Sequence, residues 1–121
     1  INILPHTDQT HYFFNQDTFS QMKEGTLFVN VGRGPTVKTD DLIAALDNGQ
    51  LAFAGLDVFE TEPLPEESAL WNREDVLITP HITGIAEQFK KRLFAIFEEN
   101  LEAYLAEEKL PVNLIDYDQQ Y

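Results

Sequence analysis

Cysteine is absent from this sequence, which excludes a disulfide framework and any thiolate metal site. The absence fits a reducing compartment, and a cytoplasmic location is expected. Cations are scarce: 8 Lys and Arg stand against 21 Asp and Glu, for a net charge of −13. A nucleic-acid partner needs clustered Lys and Arg, so none is expected, and an anionic membrane surface is disfavoured on the same ground. No apolar run approaches the roughly 18 residues of a membrane span, and no basic-then-apolar signal segment opens the chain. The 3 histidines are not grouped at metal-ligand spacing, so no metal is expected. An initiator Met is also missing. "INILPHT" begins inside what reads as a strand, so the chain is expected to be an incomplete fragment of something longer.

What is present suffices for a core. The 121 residues are 43% hydrophobic, the size and composition of one small folded domain. Ile1 to Leu4 reads as the end of a buried strand stopped by Pro5. Asn15 caps a short helix through Met22, closed by Gly25. "TLFVNV", Thr26 to Val31, is short, apolar and β-branched, as in a strand buried on both faces. "TDDLIAALDNG" predicts a helix with Leu42, Ile43 and Leu46 on one face and acids in its first turn. "LAFAGLDV", Leu51 to Val58, predicts a second buried strand, "ALWN" one helical turn, and "DVLITP" a third strand. A long helix is expected from about Ile85 to Ala106, with Leu93, Phe94, Phe97, Leu101, Tyr104 and Leu105 as its apolar stripe. An extended tail follows.

This alternation is that of a parallel α/β sheet with right-handed crossovers. Such sheets bind ligands at the carboxyl ends of their strands. The residues after the three strand ends are Gly32-Arg33-Gly34, Asp57 to Glu62, and His81 to Gly84. One sheet edge therefore gathers an arginine, several acids and a histidine.

Each has a bland and a chemical reading. Arg33 is either a solvated turn residue or a fork for a carboxylate. Its flanking glycines would let the backbone turn sharply and a ligand approach closely. "GRGPTV" imitates the G-x-G-x-x-G dinucleotide turn, but Val37 stands at the third position and Pro35 removes an N–H. His81 is either structural or a proton-transfer group. Glu62 or Asp57 could hold its ring and favour the imidazolium, whereas Glu60 reads as a solvated charge. No serine lies in a G-x-S-x-G elbow, so a Ser-His-Asp hydrolase fits poorly.

"VNVGRGPTV", "GLDVFETEPLP" and "NREDVLITPHITG", in this order, resemble the signature blocks of the D-isomer-specific 2-hydroxyacid dehydrogenases. The resemblance runs over nearly the whole chain. It implies a parallel Rossmann-type half-sheet of about three to four strands with flanking helices. Residues 1–84 would be the C-terminal half of a dinucleotide-binding domain, and 85–121 a helix and tail returning toward a substrate domain. It implies NAD or NADP as cofactor and a 2-hydroxy or 2-keto acid as substrate, and a homodimer is expected of the intact enzyme. His81 would be the general acid-base, Glu62 its hydrogen-bonded partner, and Arg33 the clamp for the substrate carboxylate. Asp57 would contact the carboxamide or ribose side of the nicotinamide, which Val31 and Gly32 would line. Leu4 and Pro5 match the strand-end proline segment beside the cofactor, Thr10 a downstream helix start, and His81 to Gly84 would close over the ring. Glu62 also separates the chain from the related formate dehydrogenases, which carry Gln there. Lys38 departs from the usual Asp or Asn and leaves the next helix without its cap. The pyrophosphate turn would lie upstream of Ile1, so the isolated chain is expected to be inactive. The competing class is a non-catalytic half-domain that self-associates through its exposed sheet edge.

Overall fold

The structure, a computed structural model, describes residues 1–121. The chain forms two compact units, Ile1–Thr83 and Gly84–Tyr121. In the first, strands β1 (Thr26–Asn30), β2 (Leu51–Leu56) and β3 (Val76–Ile78) make a parallel sheet in the order β1-β2-β3. Helix α1 (Gln16–Ser20) precedes β1, and α2 (Thr39–Asp47) joins β1 to β2. Single 3-10 turns lie at Gly34–Thr36 and Ala69–Asn72. Asn15 caps α1 through its side chain, which accepts from the Asp17 and Thr18 N–H groups. Gly25 and Gly49 both take positive φ, where a side chain would be strained.

The core lies on one face of the sheet. Phe19 of α1 and Leu42, Ala45 and Leu46 of α2 form one cluster with Phe28, Ala54 and Leu56 of the strands. Phe19 and Phe28 meet edge to face, with centroids 5.4 Å apart. Strand side chains alternate, so Leu27, Val29, Phe53 and Leu77 fall on the opposite face, where Leu27 and Leu77 are 67% and 58% exposed. The expected burial of the strands on both faces is thus corrected, because α1 and α2 cover a single side. The expected strand at Ile1 to Leu4 reduces to one parallel bridge, Asn2 to Asn30. It runs along the free edge of β1, with Asn2 N–H on the Val29 carbonyl and Val31 N–H on the Asn2 carbonyl. Ile1 and Ile3 beside it are exposed.

Two expectations at α2 also change. Lys38 occupies the N-cap position without capping the helix; instead its ammonium pairs with Asp41 at 3.0 Å. The cap comes from across the fold: Glu60 Oε2, in the loop after β2, accepts the Thr39 N–H at 2.6 Å. Glu60 also accepts from the Tyr12 hydroxyl, which raises that phenol's pKa above its ordinary value. It is therefore not the free solvated charge expected. A carboxylate at a helix N-terminus satisfies an orphan donor and favours the dipole.

In the second unit α3 spans Phe89–Leu105, later than the expected start near Ile85. Its apolar stripe has the predicted spacing, yet no residue of α3 is buried. The Asn100 side chain bonds both the N–H and the carbonyl of Val112 and so pins the tail. No helix is long and apolar enough to cross a membrane.

Candidate active site

Parallel pairing brings the carboxyl ends of β1, β2 and β3 to one edge. Two bonds extend the ladder past them: Asp57 N–H to the Asn30 carbonyl and Thr79 N–H to the Leu56 carbonyl, both at 3.0 Å. The residues that follow are thereby held in fixed relation.

Asp57 is 1% exposed, and its carboxylate faces the 79–83 loop. Oδ1 accepts from the Thr79 hydroxyl and from Ile82 N–H at 3.0 Å. Oδ2 accepts from Thr83 N–H at 3.0 Å and the Thr83 hydroxyl at 2.7 Å. Burial alone would raise its pKa; the Thr79 and Thr83 hydroxyls and the two N–H groups outweigh it and hold the acid far below its ordinary value. With two donors on each oxygen its accepting capacity is taken up. The structure thus gives Asp57 partners within its own chain, where a contact to a nicotinamide was expected. Thr79 and Thr83 were missed; their only trace in the sequence is a threonine on each side of "PHI".

This anchoring shapes His81, which sits at φ 53 after Pro80, in the left-handed region that non-glycine residues seldom enter. Its Nδ1 lies 2.7 Å from Glu62 Oε2. A carboxylate only accepts, so Nδ1 carries the proton and Nε2 is left for exchange. Glu62 is fixed in turn by Phe59 N–H, which donates to its Oε1 at 2.9 Å. Burial would raise the Glu62 pKa, but the His81 ring and the Phe59 N–H prevail and lower it. A histidine oriented by a carboxylate, itself oriented by backbone, is the arrangement of a general acid-base.

Arg33 stands exposed at the end of β1. Its guanidinium donates to the Gly32 carbonyl at 2.8 Å, not to Glu62 or His81. The glycines around it are required by the protein's own backbone packing. A Cβ on Gly34 would lie 1.7 Å from the Phe59 carbonyl oxygen, and one on Gly32 2.7 Å from that of Leu4. The phosphate-cradle reading of "GRGPTV" loses its space, because the Phe59 backbone fills it. A buried network missed in the sequence sets this turn. Asn2 Nδ2 donates to Asn30 Oδ1 and to the Thr36 hydroxyl, while Asn30 Oδ1 also takes the Gly32 N–H. The Thr36 hydroxyl donates to the Arg33 carbonyl at 2.6 Å. The signal available was an asparagine inside an apolar strand, "FVNV".

The remaining expected cofactor contacts fall into three places. Leu4, Pro5 and Thr10 belong to one loop, where the Thr10 hydroxyl donates to the Pro5 carbonyl at 2.7 Å. Thr10 starts no helix; it closes a turn, and the next helix begins only at Gln16. Val31 and Gly32 spend their N–H groups on Asn2 and Asn30. Gly84 opens the second unit and is exposed, with open space around its Cα.

Beside His81 lies a hollow of about 730 Å³. Phe59, Leu64, Trp71 and Ile78 form most of its wall, and Glu62 and His81 are its only ionisable lining residues.

Residues 1–83 match the family model described as D-isomer specific 2-hydroxyacid dehydrogenase, NAD binding domain. The chain is 43% identical over 99 residues to glyoxylate/hydroxypyruvate reductase B of Klebsiella pneumoniae subsp. pneumoniae, covering 82% of this chain and 31% of that protein. A D-isomer specific 2-hydroxyacid dehydrogenase from Xanthobacter autotrophicus Py2, solved with NADPH and MES, superposes with a TM-score of 0.90 at 39% identity, over 98% of this chain and 48% of that one. Phosphoglycerate dehydrogenase from Lactobacillus plantarum gives a TM-score of 0.70 at 45% identity, over 95% and 37%. The chain spans about a third of the length of the curated relatives it matches, 36% and 31% of the first two.

Proposed function

Since the chain belongs to the D-isomer specific 2-hydroxyacid dehydrogenase family, we propose that it carries the proton-transfer half of an NAD(P)-dependent oxidoreductase acting on a D-2-hydroxy acid and its 2-keto partner. Residues 1–84 act as the C-terminal half of the dinucleotide-binding domain, and 85–121 as a separate helix and tail. The observation that carries this is the His81 Nδ1–Glu62 Oε2 contact of 2.7 Å at the sheet edge shared with Arg33.

The residues present fit the reacting end of a nicotinamide and not the pyrophosphate, since the only glycine-rich turn after a strand is packed against Phe59. A nicotinamide held beside Val31, Gly32 and His81 would supply the hydride chemistry at C2 of the keto acid, in either direction. His81 gives the proton from Nε2 to the carbonyl oxygen in reduction and removes it from the hydroxyl in oxidation. Glu62 holds the ring in one orientation through its contact with Nδ1. Arg33 swings from the Gly32 carbonyl to bind the substrate carboxylate in a fork. Val31 and Gly32 line the ring by shape, and Asp57 acts by holding the 79–83 loop. The NADPH in the Xanthobacter structure supports the cofactor class.

The isolated chain is inactive in this proposal, because the pyrophosphate turn and any substrate domain are not among its residues. NADH and NADPH oxidation with a panel of 2-keto acids tests this, and robust turnover by the purified 121 residues refutes it. In a competent full-length protein, loss of turnover in His81→Ala is expected; near-normal turnover would remove His81 from the mechanism.

A second reading, self-association, is favoured by the uncovered sheet face of Leu27 and Leu77. It places a second copy on a face instead of the expected edge, which the Asn2 segment partly occupies.

A further inference from the structure

The hollow beside His81 has a composition that bears on substrate class. Its volume, about 730 Å³, lies in the range of small-molecule pockets, roughly 300–1,000 Å³. Its wall is built from parts fixed independently. Phe59 is locked by the close approach of Gly34 and by its N–H on Glu62. Trp71 donates its indole N–H to the Pro65 carbonyl at 2.8 Å, and Ser68 caps the turn that carries it. Ile78 comes from β3. No lysine or arginine lines the space, and one of its two ionisable residues is a carboxylate.

We infer that this hollow receives the C3 substituent of the 2-keto acid, and that the substituent is apolar and branched or aromatic, not phosphorylated or carboxylated. The inference rests on the proposed activity, because it is His81 that joins the hollow to the reacting carbonyl. An anionic substituent would enter an apolar wall beside the Glu62 carboxylate with no lysine or arginine to pair it, while the His81 ring is already bonded to Glu62; an unpaired charge in such a place is costly. An aliphatic or aromatic group meets Trp71, Leu64 and Phe59 and displaces only water. Each methylene in a fitted apolar pocket discriminates by roughly 10- to 200-fold.

Trp71 is the only tryptophan of the chain, so its indole N–H resonance reports on the hollow, while the His81 ring protons report on the reacting end. The purified wild-type chain is titrated with 4-methyl-2-oxopentanoate, glyoxylate and 3-phosphohydroxypyruvate. Both reporters are expected to move with the branched acid, at an affinity at least about tenfold above either of the others. If His81 responds to glyoxylate or the phosphorylated acid as tightly as to the branched one, or the indole stays still while His81 moves, the substrate-class inference fails and the proposed activity stands. Movement of the indole without His81 also overturns it, since the hollow is then unconnected to the reacting carbonyl. Silence of both reporters toward all three acids overturns the inference, while the proposed activity is decided separately by His81→Ala in a competent full-length protein.

Discussion

Two carboxylates of the loop after β2, Asp57 and Glu62, do different work at the site. Asp57 is buried and saturated with donors, while Glu62 is half-open and bonded to His81. Asp57→Asn puts an amide donor against hydroxyl and N–H donors, and each buried group left unpaired costs about 1–3 kcal/mol. A lower melting temperature and lost hydrogen-exchange protection at Ile82 and Thr83 are expected; unchanged protection would show that Asp57 does not hold the loop. Glu62→Gln keeps the size of the side chain and removes its charge. In a competent full-length protein it should lower turnover in keto-acid reduction, and unchanged turnover refutes a role for the Glu62 charge at His81. Both carboxylates have folded-state pKa values below their unfolded ones. Their contribution to stability is therefore fully present above about pH 4, near the unfolded values, and is lost as pH falls through the depressed folded values. Acid unfolding followed by circular dichroism should begin below that pH and sharpen toward lower pH, and Asp57→Asn should reduce the slope, with Glu62, Asp41 and Asp75 carrying the rest. These pairings were half legible: "PHITG" and "ETEP" pointed to His81 and Glu62, but the threonine partners of Asp57 lie more than twenty positions away and no local pattern showed them.

Elements here are closed by residues from other elements. The capping of α2 by Glu60 ties the loop that carries Glu62 to the helix after β1. Glu60→Ala should cost about 1 kcal/mol, the usual worth of a helix cap, seen as a fall of several degrees in melting temperature. Lys38→Asn should recover part of that loss by supplying a local cap. No effect of Glu60→Ala would mean that the long-range cap contributes nothing. Gly34 is stricter still: Gly34→Ala drives a methyl group into the Phe59 backbone, which must move, and with it Glu62. A variant as stable as the parent would contradict the observed packing. The N-cap of α1 and the turn glycines were readable from local capping chemistry, whereas α1 ends earlier and α3 begins later than their apolar spacing implied. Lys38 made the cap look absent, because the replacement comes from Glu60 in a different loop.

Across the whole molecule, apolar surface without cover stands out. Parallel sheets normally have helices on both faces, yet here Leu27 and Leu77 are open on one side of the first unit. Self-association rising with concentration is expected in sedimentation velocity, and the double variant Leu27→Lys, Leu77→Lys should abolish it. A parent chain monomeric across the accessible concentrations would refute this. The alternation of strands and helices, the strand ends that converge, and the family were determined by the sequence alone, since they depend on periodicity, turn residues and short motifs read in order. Only the tertiary structure decided which face of the sheet is packed, that Asp57 is spent on Thr79, Ile82 and Thr83, and that the glycines beside Arg33 admit protein backbone. Those depend on distances between residues far apart in the chain, which no local pattern encodes.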